Sequence, residues 1–182
     1  FTGFDDRKLS HQANRLYVMN ADGSNIRNLT EDLDRAIDDF QWLPNSKALY
    51  IAYDSEGKGI LAEQNIAGKR SVITSDIGGG SYGRPYSGGQ FAAADNGLIA
   101  YTQMNTQQPA ELAVVKNGKK HTLTDFNADL VFARDIGKVE EFWYNSSVDQ
   151  RKLQGWLIYP PQFDPSKKYP LILEIHGGPH TA

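Results

Sequence analysis

Cysteine is absent from the 182 residues. Disulfides, zinc–thiolate sites and thiol nucleophiles are thereby excluded. The same absence leaves the compartment open, because neither cytoplasm nor periplasm requires disulfides. Long apolar runs are also missing: neither Ala48 to Tyr53 nor Leu171 to Ile175, which Glu174 interrupts, approaches the roughly 20 residues a membrane helix needs. Positive charge is not in excess. Nineteen Lys and Arg against 22 Asp and Glu give a net charge of −3, which removes the electrostatic case for nucleic acid or an anionic membrane as partner. No basic-then-apolar signal segment opens the chain, and the first residue is Phe1 rather than methionine. With an end at His180-Thr181-Ala182, directly after a glycine pair, both ends are expected to be cuts inside a longer polypeptide. Disorder is not expected, since 40% of the residues are hydrophobic.

A repeat fills the first three quarters. The segments Arg15–Thr30, Gly59–Thr74 and Ala110–Thr124 share one plan: an apolar stretch, a turn with glycine (Gly23, Gly68, Gly118), and a polar stretch closing in Leu/Ile-Thr. The closing threonines lie 44 and 50 positions apart, inside the period range of propeller blades. Asp22-Gly23 and Asn117-Gly118 suit the positive φ angles of two-residue hairpins, so each copy predicts two antiparallel strands. A second hairpin element, Phe40–Tyr53 and again Phe91–Thr102, alternates with the first. Together they make four strands per unit, the build of a blade. The string Trp42 to Tyr50 resembles the W-x-P-D-G-K-x-L hairpin of propellers in the prolyl oligopeptidase and TolB-like families, with Asn45-Ser46 in place of Asp-Gly. About three blades are visible, against ~4–8 in closed propellers. Open edges invite pairing, so a longer chain is expected, with a ring of several copies as the alternative.

Several features of this region are expected to carry no chemistry. Glu31, Asp32, Asp34, Asp38 and Asp39 match no calcium-loop spacing and predict a solvated inter-blade loop, so no metal is expected. Gly78–Gly83 lacks the flanking strand, helix and Lys-Ser/Thr of a phosphate loop, so no cofactor is expected. Tyr82, Arg84 and Tyr86 are placed as channel residues that could contact a peptide. His11 and His121 are expected at the surface, and Trp42 in the core.

After about residue 138 the repeat stops. Val139–Tyr144 and Leu153–Tyr159 predict two strands around a turn at Ser146–Arg151. Pro160–Pro170 is a proline-rich loop that cannot be helix or inner sheet. Leu171–Ile175 predicts a strand buried on both faces, running into His176, Gly177, Gly178 and Pro179. A glycine-rich loop after a buried strand can supply an oxyanion-hole amide in α/β-hydrolases. Such a donor is worth roughly 3–4 kcal/mol of barrier. Pro179 has no N–H, so Gly177 and Gly178 are the candidate donors, with His176 and Pro179 shaping the loop.

The 27 residues Leu153 to Pro179 closely resemble, without a gap, the start of the catalytic domain in the prolyl oligopeptidase family, where a propeller also lies directly upstream. His176 followed later by His180 is more similar to the acylaminoacyl-peptidase and bacterial dipeptidyl-aminopeptidase branch, since other branches carry tyrosine at the position of His176. The resemblance implies a mainly β chain: the C-terminal part of a propeller in 1–138, then the first strands of an α/β-hydrolase domain in 139–182. It further implies a serine peptidase acting on short peptides through a Ser-Asp-His triad, with the propeller restricting access. One G-x-S-x-G string occurs, Gly79-Gly80-Ser81-Tyr82-Gly83, but it lies in the connection between repeat units, with no strand expected before it and no helix after it, and Ser146, Ser147 and Ser166 lack such flanks, so the triad is expected downstream of this chain. The rival reading is a non-catalytic TolB-like propeller that holds a protein partner. An esterase of the same hydrolase fold is a third, disfavoured by the propeller.

Overall fold

The computed structural model describes residues 1–79 and 88–175. Thirteen strands and one short helix form four antiparallel sheets there. The second and third sheets reproduce the four-strand unit expected from the repeat. One is β4 (Asp39–Trp42), β5 (Ala48–Ser55), β6 (Lys58–Asn65) and β7 (Arg70–Thr74), hydrogen-bonded in that order. The other is β8 (Phe91–Ala93), β9 (Ile99–Asn105), β10 (Gln108–Lys116) and β11 (Lys119–Thr122), again in sequence order. The first sheet is shorter: β1 (Thr2–Gly3), β2 (Arg15–Val18) and β3 (Arg27–Asn28).

Alternation of side chains explains how the blades stack. Strand side chains point to opposite faces with period two. In β5, Leu49, Ile51 and Tyr53 join Leu16, Leu29 and Ile37 in a core between the first and second sheets. Tyr50 and Ala52 face the other way, into a core with Ile99, Tyr101, Ala113 and Val115 of the third sheet. Residues 48 to 53 are consequently all buried, and their continuous apolar run follows from a neighbour on either side. Between the second and third sheets, Gln41 substitutes for a strand. Its Nε2 donates to the carbonyl of Ala93 at 2.8 Å, and its Oε1 accepts from the N–H of Ala93 at 2.9 Å. That exchange satisfies the edge of β8 without a paired backbone.

The closing threonines have a physical reason. The hydroxyl of Thr30 accepts from the N–H of Leu16 at 2.9 Å, and that of Thr124 accepts from Leu112 at 2.9 Å. Each one continues its sheet's ladder where the outer strand has turned away. Only the third of the three repeat turns is a two-residue hairpin, with Asn117 and Gly118 at φ 49° and 74°. In the second, Asn65 N–H reaches the carbonyl of Lys69, a longer loop with Gly68 at φ 100°. In the first, residues 19–26 separate the strands, with a turn closed by Gly23 N–H on the carbonyl of Asn20. Asp-Gly alone therefore did not fix the loop length; the side-chain bonds of Asp22 and Asn20 to Ser24 make a wider turn.

The chain leaves the third sheet through a clasp on Glu111, which is 3% exposed. Its carboxylate accepts from the Thr124 hydroxyl, from the backbone N–H of Phe126 and Asn127, and from Asn127 Nδ2. These bonds, that of Thr124 foremost, hold the carboxyl down at about 2. A single helical turn, α1 (Ala128–Phe132), follows. The fourth sheet is a two-stranded hairpin, β12 (Val139–Asn145) and β13 (Lys152–Ile158).

Two expectations, for Leu171–Ile175 and for Trp42, are corrected, and a third feature is not shown among the described residues. Leu171–Ile175 is not a buried strand: no ladder includes it, and Leu171, Ile172, Leu173 and Ile175 are 76–88% exposed. A strand buried on both faces is made by its neighbours, and among the described residues no strand or helix flanks this run. The α/β-hydrolase portion of the expected fold is likewise not seen: residues 139–175 contribute an antiparallel hairpin and irregular chain. Trp42 is 46% exposed rather than a core residue. It ends β4 on the rim, lining a groove of about 470 Å³ with Val18, Met19, Arg27 and Ile66.

Candidate active-site approach

The residues expected to form the oxyanion loop, His176, Gly177, Gly178 and Pro179, lie outside the described residues, as do Tyr82, Arg84 and Tyr86. The structure describes the residues that precede the loop, 139–175, and the blade that the hairpin touches.

This segment begins with the hairpin. Opposite residues across its ladder share a face, which puts Glu141 and Trp143 of β12 beside Trp156 and Gln154 of β13. That face meets the β5–β6 turn of the second sheet. Lys58 Nζ lies 3.3 Å from Glu141 Oε2, and Gln154 Nε2 donates to the carbonyl of Glu56 at 3.0 Å. The proline-rich loop after β13 is held by its aromatics. Phe163 stacks between Tyr159 and Tyr169, with ring centroids 4.6 and 5.2 Å away, and Lys138 Nζ sits 5.5 Å from the Tyr159 ring centre. Ile136, Gly137, Lys138, Tyr159, Pro160 and Phe163 line a cleft of about 370 Å³ there. Asp164 closes a local turn by accepting from the N–H and hydroxyl of Ser166 at 2.9 and 2.7 Å. Ser166 is thus a turn residue, and Ser146 is too, its hydroxyl accepting from the N–H of Val148 at 3.2 Å.

The blade end that meets the hairpin also carries two carboxylates. Asp38 precedes β4, its N–H bonding to the carbonyl of Ala52 at 2.9 Å; Asp54 lies two residues further along β5. Desolvation, then the charges of Asp54 and Asp39, push the Asp38 carboxyl up to about 6. Desolvation also raises Asp54. The connection from β7 to β8 passes this point: a Cβ on Gly88 would stand 3.7 Å from Asp38 Oδ2. The acidic run is exposed at Glu31, Asp32, Asp34, Asp38 and Asp39, as a solvated loop predicts, with Asp32 paired to Arg70 at 2.6 Å. The signal in the sequence was the Asp38-Asp39 doublet directly before an innermost strand, with Asp54 at the matching end of the next. Among the described residues no group of three or more His, Asp or Glu could hold a metal ion.

A raised carboxyl binds its proton more tightly folded than unfolded, so its contribution is present at low pH and lost as pH rises through about 6. Asp38→Asn is expected to stabilise the chain at pH 8 by about 1–2 kcal/mol, the full linkage of roughly 3 kcal/mol being reduced for the solvent contact Asp38 keeps. Below the ordinary carboxyl value of 3.8 the variant and parent should unfold alike. Urea titrations at pH 8 and pH 3.5 check this; equal stability at pH 8 would refute it.

No family model matches the chain. Curated sequences do. A probable dipeptidyl-peptidase 5 of Aspergillus niger is 29% identical over 173 residues, covering 93% of this chain and 23% of the relative. The dipeptidyl-peptidase 5 of Porphyromonas gingivalis is 28% identical over 174 residues, covering 92% and 23%. A probable dipeptidyl-peptidase 5 of Aspergillus terreus reaches 52% over 44 residues, 24% of this chain and 6% of the relative. The chain spans about a quarter of the length of the curated relatives it matches along most of its own length. Among solved structures, an acylaminoacyl peptidase of Pyrococcus horikoshii superposes with a TM-score of 0.61 at 21% identity, over 81% of this chain and 21% of that one. The AtxE2 isopeptidase superposes with a TM-score of 0.70 at 16% identity, over 93% and 25%. These superpositions establish a mainly β architecture of antiparallel, blade-like sheets. Along nearly all of its own length the chain is homologous to about a quarter of dipeptidyl-peptidase 5.

Proposed function

We propose that this chain is the propeller-to-hydrolase segment of a serine peptidase that cleaves short peptides through an acyl-enzyme. In this reading residues 1–138 close the propeller and residues 139–182 open the catalytic domain. Gly177 and Gly178 offer the oxyanion amides, and the propeller restricts access. The observation that carries the reading is the ungapped run Leu153–Pro179 following directly on the blades. The boundary at 138 is supported by the packing, since neither apolar core includes a residue beyond Val115 and the hairpin makes a sheet of its own. A peptide substrate is supported by one structural neighbour, an acylaminoacyl peptidase in complex with a peptide chloromethyl ketone.

In a Ser-Asp-His mechanism the serine attacks the carbonyl, the histidine carries the proton and the aspartate orients the histidine. All three follow the oxyanion loop in this fold. The 182-residue chain is therefore expected neither to react with fluorophosphonates nor to turn over dipeptidyl nitroanilides. A polypeptide continuing past Ala182 should label once, on a serine in a G-x-S-x-G context. Stoichiometric labelling of any serine within residues 1–182 would overturn the reading.

A further inference from the structure

Asn or Asp followed by Gly occurs three times, at Asp22-Gly23, Asn96-Gly97 and Asn117-Gly118, each time between two strands. The three pairs share one chemistry. The backbone nitrogen of the glycine can attack the side-chain carbonyl carbon before it, and glycine, lacking a Cβ, obstructs that approach least. All three Asp and Asn side chains are exposed; their hydrogen bonds set them apart. Asp22 Oδ1 accepts from the N–H of Ser24 at 2.9 Å and from its hydroxyl at 2.7 Å, while Gly23 N–H donates to the carbonyl of Asn20 at 3.0 Å. Asn96 Oδ1 accepts from the N–H of Leu98 at 2.9 Å, while Gly97 N–H donates to the carbonyl of Ala94 at 2.9 Å. In both turns each reacting group is engaged elsewhere. At the third turn neither is. Lys116 and Lys119 form the last pair of the β10–β11 ladder, and among the described residues neither the Asn117 side chain nor Gly118 N–H has a hydrogen-bond partner. Around Gly118 there is open space, with nothing within 4 Å of an added Cβ.

We propose that Asn117 is a site of spontaneous deamidation and that the fold protects Asn96 from the same reaction. Gly118 N bonds to Asn117 Cγ, the Cγ–Nδ2 bond breaks, and the side-chain nitrogen leaves as ammonia with the proton of the glycine amide. Water then opens the five-membered imide. Opening at Cγ gives an aspartyl residue, and opening at the backbone carbonyl gives an isoaspartyl one. The surroundings favour the step. Lys116, Lys119 and Lys120 are all exposed beside the turn, and their positive charge stabilises the anionic nitrogen that attacks. Lys116 and Lys119 also stand directly opposite each other, an arrangement like charges disfavour, so a new carboxylate between them offsets their repulsion. The isoaspartyl product has a different consequence. Its backbone is longer by one carbon, which shifts β11 against β10 and loosens the bonds of β11 to the rest of the blade, Lys120 Nζ to Asp76 Oδ2 at 2.9 Å and Thr122 Oγ1 to Gln103 Oε1 at 2.8 Å.

The test is a time course on the purified protein at mildly alkaline pH, read by mass spectrometry. Digestion after glutamate separates the two asparagines, since Asn96 falls in the peptide 64–111 and Asn117 in 112–140, and fragmentation assigns the mass gain of an amide-to-acid exchange to a residue. Conversion at Asn117 should run about tenfold or more faster than at Asn96, where two hydrogen bonds must first break. An isoaspartyl methyltransferase with labelled methyl donor should mark the peptide 112–140 in the aged protein. The same time course in concentrated urea removes the fold, and there the two asparagines should convert at comparable rates. Folded protein in which Asn96 converts as fast as Asn117 would overturn the proposal. So would an Asn117 that keeps its amide in the folded protein while both asparagines convert in urea.

Discussion

Truncating Tyr101 to alanine is expected to cost about 3–5 kcal/mol, the range for removing a large aromatic from a packed core. Tyr101 is 1% exposed, and its ring lies in the core that joins Tyr50, Ala52 and Leu61 of one blade to Ala113 and Val115 of the next. Among the described residues no other side chain of comparable size is as fully enclosed. Its hydroxyl donates to Asp76 Oδ1 at 3.2 Å. Desolvation, then the charge of Asp76, push the phenol up to about 12. Asp76 is itself held ionised. Desolvation opposes its charge, but bonds from Thr74, Gln103 and Lys120 outweigh it and bring the carboxyl below its ordinary value. The alanine variant thus empties a cavity and removes one donor from a shared acceptor. Urea denaturation should show the loss, together with a Tm lower by roughly 10 °C. Tyr101→Phe keeps the ring and loses only the bond, so about 1 kcal/mol is expected. Equal losses for the two variants would show that the hydrogen bond, not the packing, joins the blades.

The blades were legible because several local signals agreed. Period-two burial, a glycine at each turn and a threonine at each close all repeat together, and consistency across levels is what specifies a fold. The strands of the second and third sheets accordingly coincide with the elements expected for them to within three residues at each end. Interactions between elements were not legible. The Glu111 clasp, the Gln41 bridge to Ala93 and the pairing of Lys58 with Glu141 each join residues whose own segments gave no reason to single them out. Trp42 shows the same limit from the other side: its motif identifies a hairpin, while its exposure depends on how far the neighbouring sheet extends. Asp38 is exposed with the rest of its run, and its raised carboxyl was not legible because it depends on partial cover and on Asp54, which the fold alone brings near.

Leu171–Ile175 departs furthest from expectation, and it is the part of the chain on which the proposed function turns. Its apolar composition is that of an inner strand, yet here it has neither ladder nor cover. Exposing four large aliphatic side chains in sequence is unfavourable, at roughly 1.5–3 kcal/mol for each one that could be buried. In the proposed function the run pairs and is covered within a sheet to which residues beyond Ala182 contribute. Hydrogen exchange resolved to the amides of residues 172–175, in this chain and in a polypeptide that continues past it, tests that directly. In the 182-residue chain these amides should exchange at close to the intrinsic rate. In the longer polypeptide they should slow by about a thousandfold or more, as inner-strand amides that open only with the domain. Fast exchange in both would contradict the hydrolase assignment, and so would full protection in the 182-residue chain alone.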